Sequence, residues 1–346
     1  MAKEQKSCPR LGKVGGQAVI EGIMMKAGEN CPTAVRLSNG SIAVYENTFV
    51  SVRKKHKVLN LPLLRGIVNF VESMRLSFQT LTISAEAMGV EEEETRFEKW
   101  LKSKFGVNIY NVITVIAAVL GVFLAVGIFM YLPRLAADGL SRLLHTDFGV
   151  WSAAIEGGMK VVIFILYLLL VSLMKDIRRT FEYHGAEHKS IACFEAGEEL
   201  TPENAKKHTR FHPRCGTSFM FFMILLGVLL GFGLRFVLPD WFIANRWLYT
   251  AVRLLLLPLV VGLGYEFIML AGKHPNFVTR LLSAPGLWMQ RITTREPDEK
   301  QLEVAIVALK YALVEDFPDF DRTAYAPPKQ KEDEKKIDGE DGNAAV

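Results

Sequence analysis

The sequence predicts an α-helical membrane protein with about four transmembrane helices, a small cytoplasmic β-rich N-terminal module and cytoplasmic amphipathic helices. Three observations predict this class. Half of the 346 residues are apolar, and they concentrate in long runs with few charges. Lys and Arg are concentrated in some of the segments that connect these runs and are rare in others. The region 12–58 instead carries short apolar runs separated by turn residues.

Four segments are apolar enough to be considered as helices crossing the ~30 Å hydrocarbon core of a bilayer. They are 105–133, 161–174, 215–234 and 247–272. The first and third contain no charged residue. The second is short and spans only if Lys160 extends its ammonium group to the interface, whereas the fourth contains Arg253 and Glu266. We expect one transmembrane domain over residues 105–272.

The distribution of Lys and Arg predicts the orientation of these helices. Basic residues cluster before the first span, between the second and third, and after the fourth. Such segments stay on the cytoplasmic side, so both termini and the histidine-rich loop 175–216 are predicted to be cytoplasmic. The N-terminus has no apolar core of a signal peptide, so we expect no cleaved leader.

The net charge of +4 is modest and forms no basic stripe, so nucleic acid is not an expected partner. The lipid bilayer is an expected partner. The four cysteines, Cys8, Cys31, Cys193 and Cys215, form no CxxC pair. On the cytoplasmic side thiols stay reduced, so we expect no disulfide.

The regions outside the spans divide by composition. Residues 12–58 are expected to form the β-rich module, with a hairpin at Asn39-Gly40, a pair that tolerates positive φ. Glycines around Glu21 favour a tight bend and also allow close approach of a partner or ligand. The tails 1–11 and 317–346 are expected to be disordered, the latter because Lys, Glu, Asp, Gly and Pro dominate its end.

Two cytoplasmic helical regions are expected. Residues 60–104 show apolar residues at helical spacing but carry too many charges to span, so they either lie in the membrane interface or pack on the β module. Residues 273–316 include a second helix whose start at 293–298 predicts a hydroxyl cap and an early proline. Arg295 at that start has the alternative of binding an anion.

The strongest chemical signal is a group of histidines in the loop 175–216. His184 and His188 are four residues apart, which puts both rings on one helix face, and Glu187 completes the H-x-x-E-H pattern of inverted zinc peptidases. The alternative is a pair of exposed or hydrogen-bonded helix histidines. A peptidase is disfavoured because the flanking sequence does not match.

A second pair, His208 and His212, has the same spacing, but Pro213 limits the helix, and Cys215 follows. The candidate ligands for a divalent metal, with zinc the expected ion, are His184, His188, His208, His212 and Cys215. Four ligands would make the site structural, whereas three plus water would make it catalytic.

Two carboxylates are the candidate catalytic groups. Glu187 is the first. Glu266 is the second, because it lies within the fourth span roughly 9 Å above its cytoplasmic end, where an ionisable side chain is costly. The alternative for Glu266 is a buried ion pair, with Arg253 or another span.

Four stretches together resemble the YqhQ-like family of bacterial membrane proteins. They are Gly15–Met25, Tyr183–Lys189, His212–Ser218, and Thr293–Asp298 followed by Gln301–Ala305. The resemblance implies a multi-pass protein of the bacterial plasma membrane, labelled a predicted metal-dependent enzyme through His184, Glu187, His188, His212 and Cys215.

Two functions follow from these residues. The first is a metal-dependent hydrolase acting on a lipid-linked or membrane-protein substrate at the cytoplasmic membrane face. The second is a non-enzymatic scaffold or assembly factor for membrane proteins, in which the His and Cys cluster only stabilises the loop. Transport is a weaker third possibility, because four spans with one intramembrane acid offer little of a pathway.

Overall fold

The computed structural model describes residues 10–89, 109–273 and 276–328. The expected disorder at 1–9 and 329–346 and the start of the first expected span at 105–108 fall outside these ranges. Within them, the predicted combination of a mostly helical chain, four apolar helices long enough to cross a membrane and a small N-terminal sheet is confirmed.

The sheet is an antiparallel meander in chain order. Its strands are β1 Val14–Val19, β2 Gly22–Ala27, β3 Thr33–Arg36 and β4 Ile42–Tyr45. Asn39-Gly40 lies in the turn between β3 and β4 as predicted, with Gly40 at φ +87°. The β1–β2 turn contains Glu21 at φ +49°, and its carboxylate pairs with Arg179 and accepts a hydrogen bond from the Tyr183 hydroxyl at 3.2 Å. The hairpin is thus anchored to a helix.

The helices in the described residues are named in chain order. They are α1 Leu64–Ala87, α2 Ile109–Val126, α3 Leu132–Leu143, α4 Ser152–Val171, α5 Lys175–Ala196, α6 Pro202–Lys207, α7 Gly216–Val237, α8 Asp240–Ala244, α9 Arg246–Leu255, α10 Leu257–Lys273, α11 Phe277–Thr293 and α12 Glu299–Ala312. The apolar segments long enough to span are Val119–Leu143, Ser152–Val171, Phe219–Val237 and Trp247–Leu270.

The first two of these segments extend beyond the predicted bounds. A π-helical turn at Gly127–Tyr131 joins α2 to α3, so the helix continues through Pro133, which has no backbone N–H to donate. The second begins at Ser152 and includes Glu156 and Lys160. These two charges ion-pair at 3.0 Å, so Lys160 does not need to reach the interface.

One hydrophobic core joins the sheet to α5 and α12. Ile23, Tyr183, Phe194, Leu302 and Leu309 are fully buried in it. The apolar face of α12 is therefore buried against the sheet and α5. Burying each such side chain contributes roughly 1.5–3 kcal/mol.

The cap of α12 differs from the prediction. The N-cap is the carboxylate of Asp298, which forms a capping box with Gln301. Thr293 instead ends α11, and residues 294–297 connect the two helices without regular secondary structure. The hydroxyl cap was a wrong prediction because Pro297 precedes the cap rather than entering the first turn.

Residues 317–328 are ordered, contrary to the expected disorder from residue 317. Phe317, Phe320 and Tyr325 pack against the core, and the rings of Phe320 and Tyr325 stack at 5.7 Å. Aromatic residues give this short stretch enough apolar area to pack despite its acidic neighbours.

Helix α1 contacts both strand β3 and helix α10, which belongs to the bundle of apolar helices. It therefore lies between the sheet and this bundle. Gly66 allows its close contact with α10, because a Cβ there would lie 2.7 Å from the Tyr265 Cβ. The outer side of α1 leaves Val71, Met74 and Phe78 exposed. Helix α1 therefore packs on the sheet and also exposes an apolar face, so it has features of both positions expected for residues 60–104.

Candidate metal centre

Helix α5 holds His184 and His188 on one face, with ring centroids 4.4 Å apart. The Nδ1 atom of His184 is 2.9 Å from the Thr293 carbonyl oxygen, and that of His188 is 2.6 Å from the Arg210 carbonyl oxygen. Because a carbonyl only accepts, the neutral form of each ring carries its proton on Nδ1 and has the lone pair on Nε2. Metal-binding histidines are commonly oriented in this way.

Cys215 completes a three-ligand group. It is the N-cap of α7, and its Sγ lies 3.3 Å from His184 Nε2. The ligand atoms of His184, His188 and Cys215 all lie within 4.8 Å of one another. Tetrahedral zinc with bonds of 2.0–2.3 Å separates its ligands by about 3.5 Å. The donor set therefore fits zinc after only a small contraction.

His188 is suited to a ligand role by its burial. Burial lowers its pKa, and the neighbouring His184 acts in the same direction, against opposing contributions from Cys215 and the Arg210 carbonyl. A lowered pKa keeps the imidazole neutral near pH 7, which is the form that binds a metal.

Glu187 is buried against strand β1. A Cβ placed on Gly16 would lie 2.8 Å from the Glu187 Cγ and 2.9 Å from its Oε1, so only glycine leaves room for this side chain. Burial raises the pKa of the Glu187 carboxyl, although His184, His212 and the Gly16 amide act in the opposite direction. A carboxyl group with a raised pKa is suited to general acid–base chemistry.

These residues line one cavity of about 420 Å³ between β1, α5 and the loop that precedes α7. His184, Glu187, His188, His212 and Cys215 all reach it. Three cationic side chains line it as well, namely Lys13, Lys26 and Arg214. Lys13 also pairs with Asp316 and Arg214 with Glu195, so part of this positive charge is balanced by acids beside the cavity.

His212 lies beside the three ligands rather than among them. Its backbone N–H donates to the Gln290 side-chain oxygen and its carbonyl accepts from the Gln290 nitrogen, both at 2.8 Å. Its Nε2 is 3.3 Å from Arg214 and 3.8 Å from a carboxylate oxygen of Glu195. His212 thus links the cavity to the ion pair between Arg214 and Glu195.

Glu195 has a strongly acidic carboxyl group. Burial alone would raise its pKa, but hydrogen bonds from His212 and the Gly12 amide, together with the Arg214 charge, lower it to about 2. The carboxylate therefore stays ionised at neutral pH.

His208 does not join this cavity. Helix α6 ends at Lys207, so His208 and His212 do not share a helix face. The expectation that their spacing puts both rings on one helix was wrong. His208 Nε2 lies 3.1 Å from Glu198 and forms a separate potential ligand group with Glu198 and Cys193. Burial raises the pKa of the Cys193 thiol to about 11, and nearby Glu198 adds to this effect.

Glu266 is also placed elsewhere. Its carboxylate accepts from Arg65 Nε at 2.7 Å and from the Leu63 amide at 3.3 Å, so it joins α10 to the start of α1. Arg253, the suggested partner, pairs with Glu156 instead. Glu266 therefore forms an ion pair, as the alternative to a catalytic role proposed, but its partner is Arg65.

Several residues of the site were not identified from sequence. Gly185 is one, because a Cβ there would lie 2.0 Å from the Arg295 carbonyl oxygen. The close approach lets the segment after α11 run along α5 and present the Thr293 carbonyl to His184. The glycines at 185, inside H-x-x-E-H, and at 16, in β1, were the sequence signals for these close contacts. No sequence pattern indicated that Glu195 and Gln290 belong to the site.

Comparison with known proteins supports a family relationship. Residues 61–315 match the family described as "Protein of unknown function (DUF1385)". The chain is 34% identical over 301 residues to "Uncharacterized protein YqhQ" of Bacillus subtilis (strain 168), covering 86% of this chain and 92% of that protein. No solved structure matches the chain.

Proposed function

Since the chain belongs to the DUF1385 family, the YqhQ-like family that its motifs indicated, we propose its function from its own site. It is an integral membrane protein with a divalent-metal centre, zinc by its donor set, at the cytoplasmic membrane face. It hydrolyses a lipid-linked or membrane-protein substrate. The observation that carries this proposal is the convergence of His184, His188 and Cys215 beside the buried Glu187 in one cavity.

Exposed apolar surface supports the membrane assignment. Phe123, Leu170 and Leu255 on candidate spans are 66–78% exposed, which is unfavourable in water over so large an area. Helix α11 adds an exposed apolar face that includes Trp288, a residue type enriched at membrane interfaces. The distribution of Lys and Arg supports a cytoplasmic position for both termini and the metal centre.

The ligand count supports catalysis. Among the described residues, two His and one Cys would hold the metal and would leave a fourth position for water or substrate, as in catalytic zinc sites, and all three line the cavity. A bound divalent ion supplies Lewis-acid polarisation of the substrate and lowers the pKa of water. Glu187 accepts a proton from the attacking water and returns it to the leaving group. The cations Lys13, Lys26 and Arg214 stabilise negative charge that develops on the substrate.

The metal claim is tested by elemental analysis of the purified full-length protein. We expect about one equivalent of metal in the wild type, a loss of it in His184→Ala, and no loss in His56→Ala, a control at an exposed histidine. Finding no metal in wild-type protein purified without chelators and then supplied with zinc would remove the basis of the proposal.

The catalytic claim is tested by complementation of a deletion strain. Glu187→Gln is expected to keep the metal, because the amide fits the same space, but to lose function. A Glu187→Gln protein that complements fully and retains its metal would favour the scaffold alternative, in which the cluster only stabilises the structure.

A further inference from the structure

An apolar cavity of about 500 Å³ lies along helix α7, away from the metal centre. It is lined by side chains of α1, α2, α4, α7 and α10, among them Phe70, Phe164, Met220 and Val260. Nearly all of its wall is hydrocarbon. A cavity of this kind is suited to an alkyl chain.

Two cations are among the residues that line this cavity. Lys160 and Arg253 both line it, and their side chains are 13% and 15% exposed. Both pair with the same acid, Glu156, at 3.0 and 2.6 Å. Two positive charges thus share one negative charge, within the described part of the chain, on helices that the proposed function places in the bilayer.

An unbalanced charge in such surroundings is costly. Lys160 is eight residues into α4, about 12 Å along the helix from its start. An anionic group beside Lys160 and Arg253 would balance the cluster. The apolar wall next to it would hold the chain of the same molecule.

We propose that this cavity binds one anionic lipid, with its phosphate at Lys160 and Arg253 and one hydrocarbon chain along α7. The inference rests on the proposed membrane insertion but not on the metal centre. Arg253 crosses α7 near Gly231, where a Cβ would lie 3.3 Å from its guanidinium. From Gly231 to Met220 the cavity follows α7 for about 16 Å, close to one leaflet of a ~30 Å hydrocarbon core.

Glycines of α7 provide a matched pair of variants. Gly227 lines the cavity, whereas Gly233 is exposed on the same helix and does not line it. A Cβ at either position meets no atom within 4 Å. Gly227→Leu therefore fills the cavity without a backbone clash, and Gly233→Leu controls for the change in helix propensity.

The experiment is native mass spectrometry of the full-length protein in nonionic detergent. It is titrated with phosphatidylglycerol or with phosphatidylcholine of identical chains. We expect wild type to retain one phosphatidylglycerol at least about tenfold more tightly than phosphatidylcholine. Gly227→Leu should lose this retention, and Gly233→Leu should keep it. Equal retention of both lipids by wild type, or equal behaviour of the two glycine variants, would overturn the proposal.

A charge variant supplies a second, independent measurement. Lys160→Met leaves Glu156 and Arg253 as a neutral pair, so the protein should still fold while its preference for phosphatidylglycerol disappears. Glycerol 3-phosphate at equal concentration should not compete with the lipid. Competition as strong as that of the lipid would mean that a free phosphate is the ligand and would overturn the lipid assignment.

Metal content measured in the same samples separates the two proposals. Lipid retention with no metal would contradict only the metal centre. Metal without selective lipid retention would contradict only the lipid site.

Discussion

The carboxylate of Glu187 on α5 packs against the backbone of Gly16 on β1, so the candidate catalytic acid is positioned by the sheet. The contact joins two of the stretches that identify the family. It explains why glycine stands at residue 16, since any side chain would occupy the space of the carboxylate.

Gly16→Ala should therefore disturb the site, while Gly15→Ala should not. A methyl group at residue 16 would lie 2.8–2.9 Å from Glu187 atoms, whereas at residue 15 it meets nothing within 4 Å. We expect Gly16→Ala to cost about 1–3 kcal/mol and to lower metal occupancy. Thermal unfolding in detergent with parallel metal analysis provides the measurement, and equal melting temperatures for the two variants would contradict the contact.

Cys215→Ser should change the spectrum of the cobalt-substituted protein. A thiolate ligand produces a sulfur-to-cobalt charge-transfer band, so the band should be lost in Cys215→Ser. Cys31 is also buried but packs with Met24 and Leu76, away from the ligand group, so Cys31→Ser should keep the band. Persistence of the band in Cys215→Ser would assign the thiolate to another cysteine, with Cys193 the first to examine.

Glu195 should contribute stability that is lost in acid. Its folded pKa is about 2, below the ~4.3 of an unfolded glutamate, so its contribution is present above pH ~4.3 and declines as pH falls towards 2. Glu195→Gln should therefore be less stable than wild type at pH 6, with the difference shrinking over this window. Acid titration followed by circular dichroism measures this, and a difference that does not depend on pH would contradict the assignment.

Glu266→Gln should affect stability and leave the metal in place. The change weakens the ion pair with Arg65 between α1 and α10, and the two side chains are 33% and 25% exposed, so the melting temperature should fall only slightly. Metal content should match wild type. A loss of metal in Glu266→Gln, with the fold intact by circular dichroism, would return Glu266 to the site.

The parts of the site that the sequence predicted are those set by local periodicity. His184 and His188 share a face because α5 is helical through both. The same spacing gave a wrong prediction of a shared helix face for His208 and His212, because the helix ends at Lys207 and an irregular loop follows. Spacing has meaning only within one continuous helix, and Pro213 was the available warning.

The remaining features depend on pairing between distant segments. Glu266 meets Arg65, and Arg253 meets Glu156, although several acids and bases were available to each. Such choices are made by helix packing, for which no single segment carries a signal. The four apolar helices were predictable from composition, but the second begins earlier than predicted because Glu156 and Lys160 pair within it.

The three ligands come from two different parts of the protein. His184 and His188 belong to the helix that packs on the sheet, whereas Cys215 caps the first turn of bundle helix α7. A cation bound by all three would cross-link these parts through bonds whose lengths tolerate changes of only a few tenths of an ångström. Retention of the ion would then depend on the tilt of α7, so bilayer thickness would influence how firmly it is held.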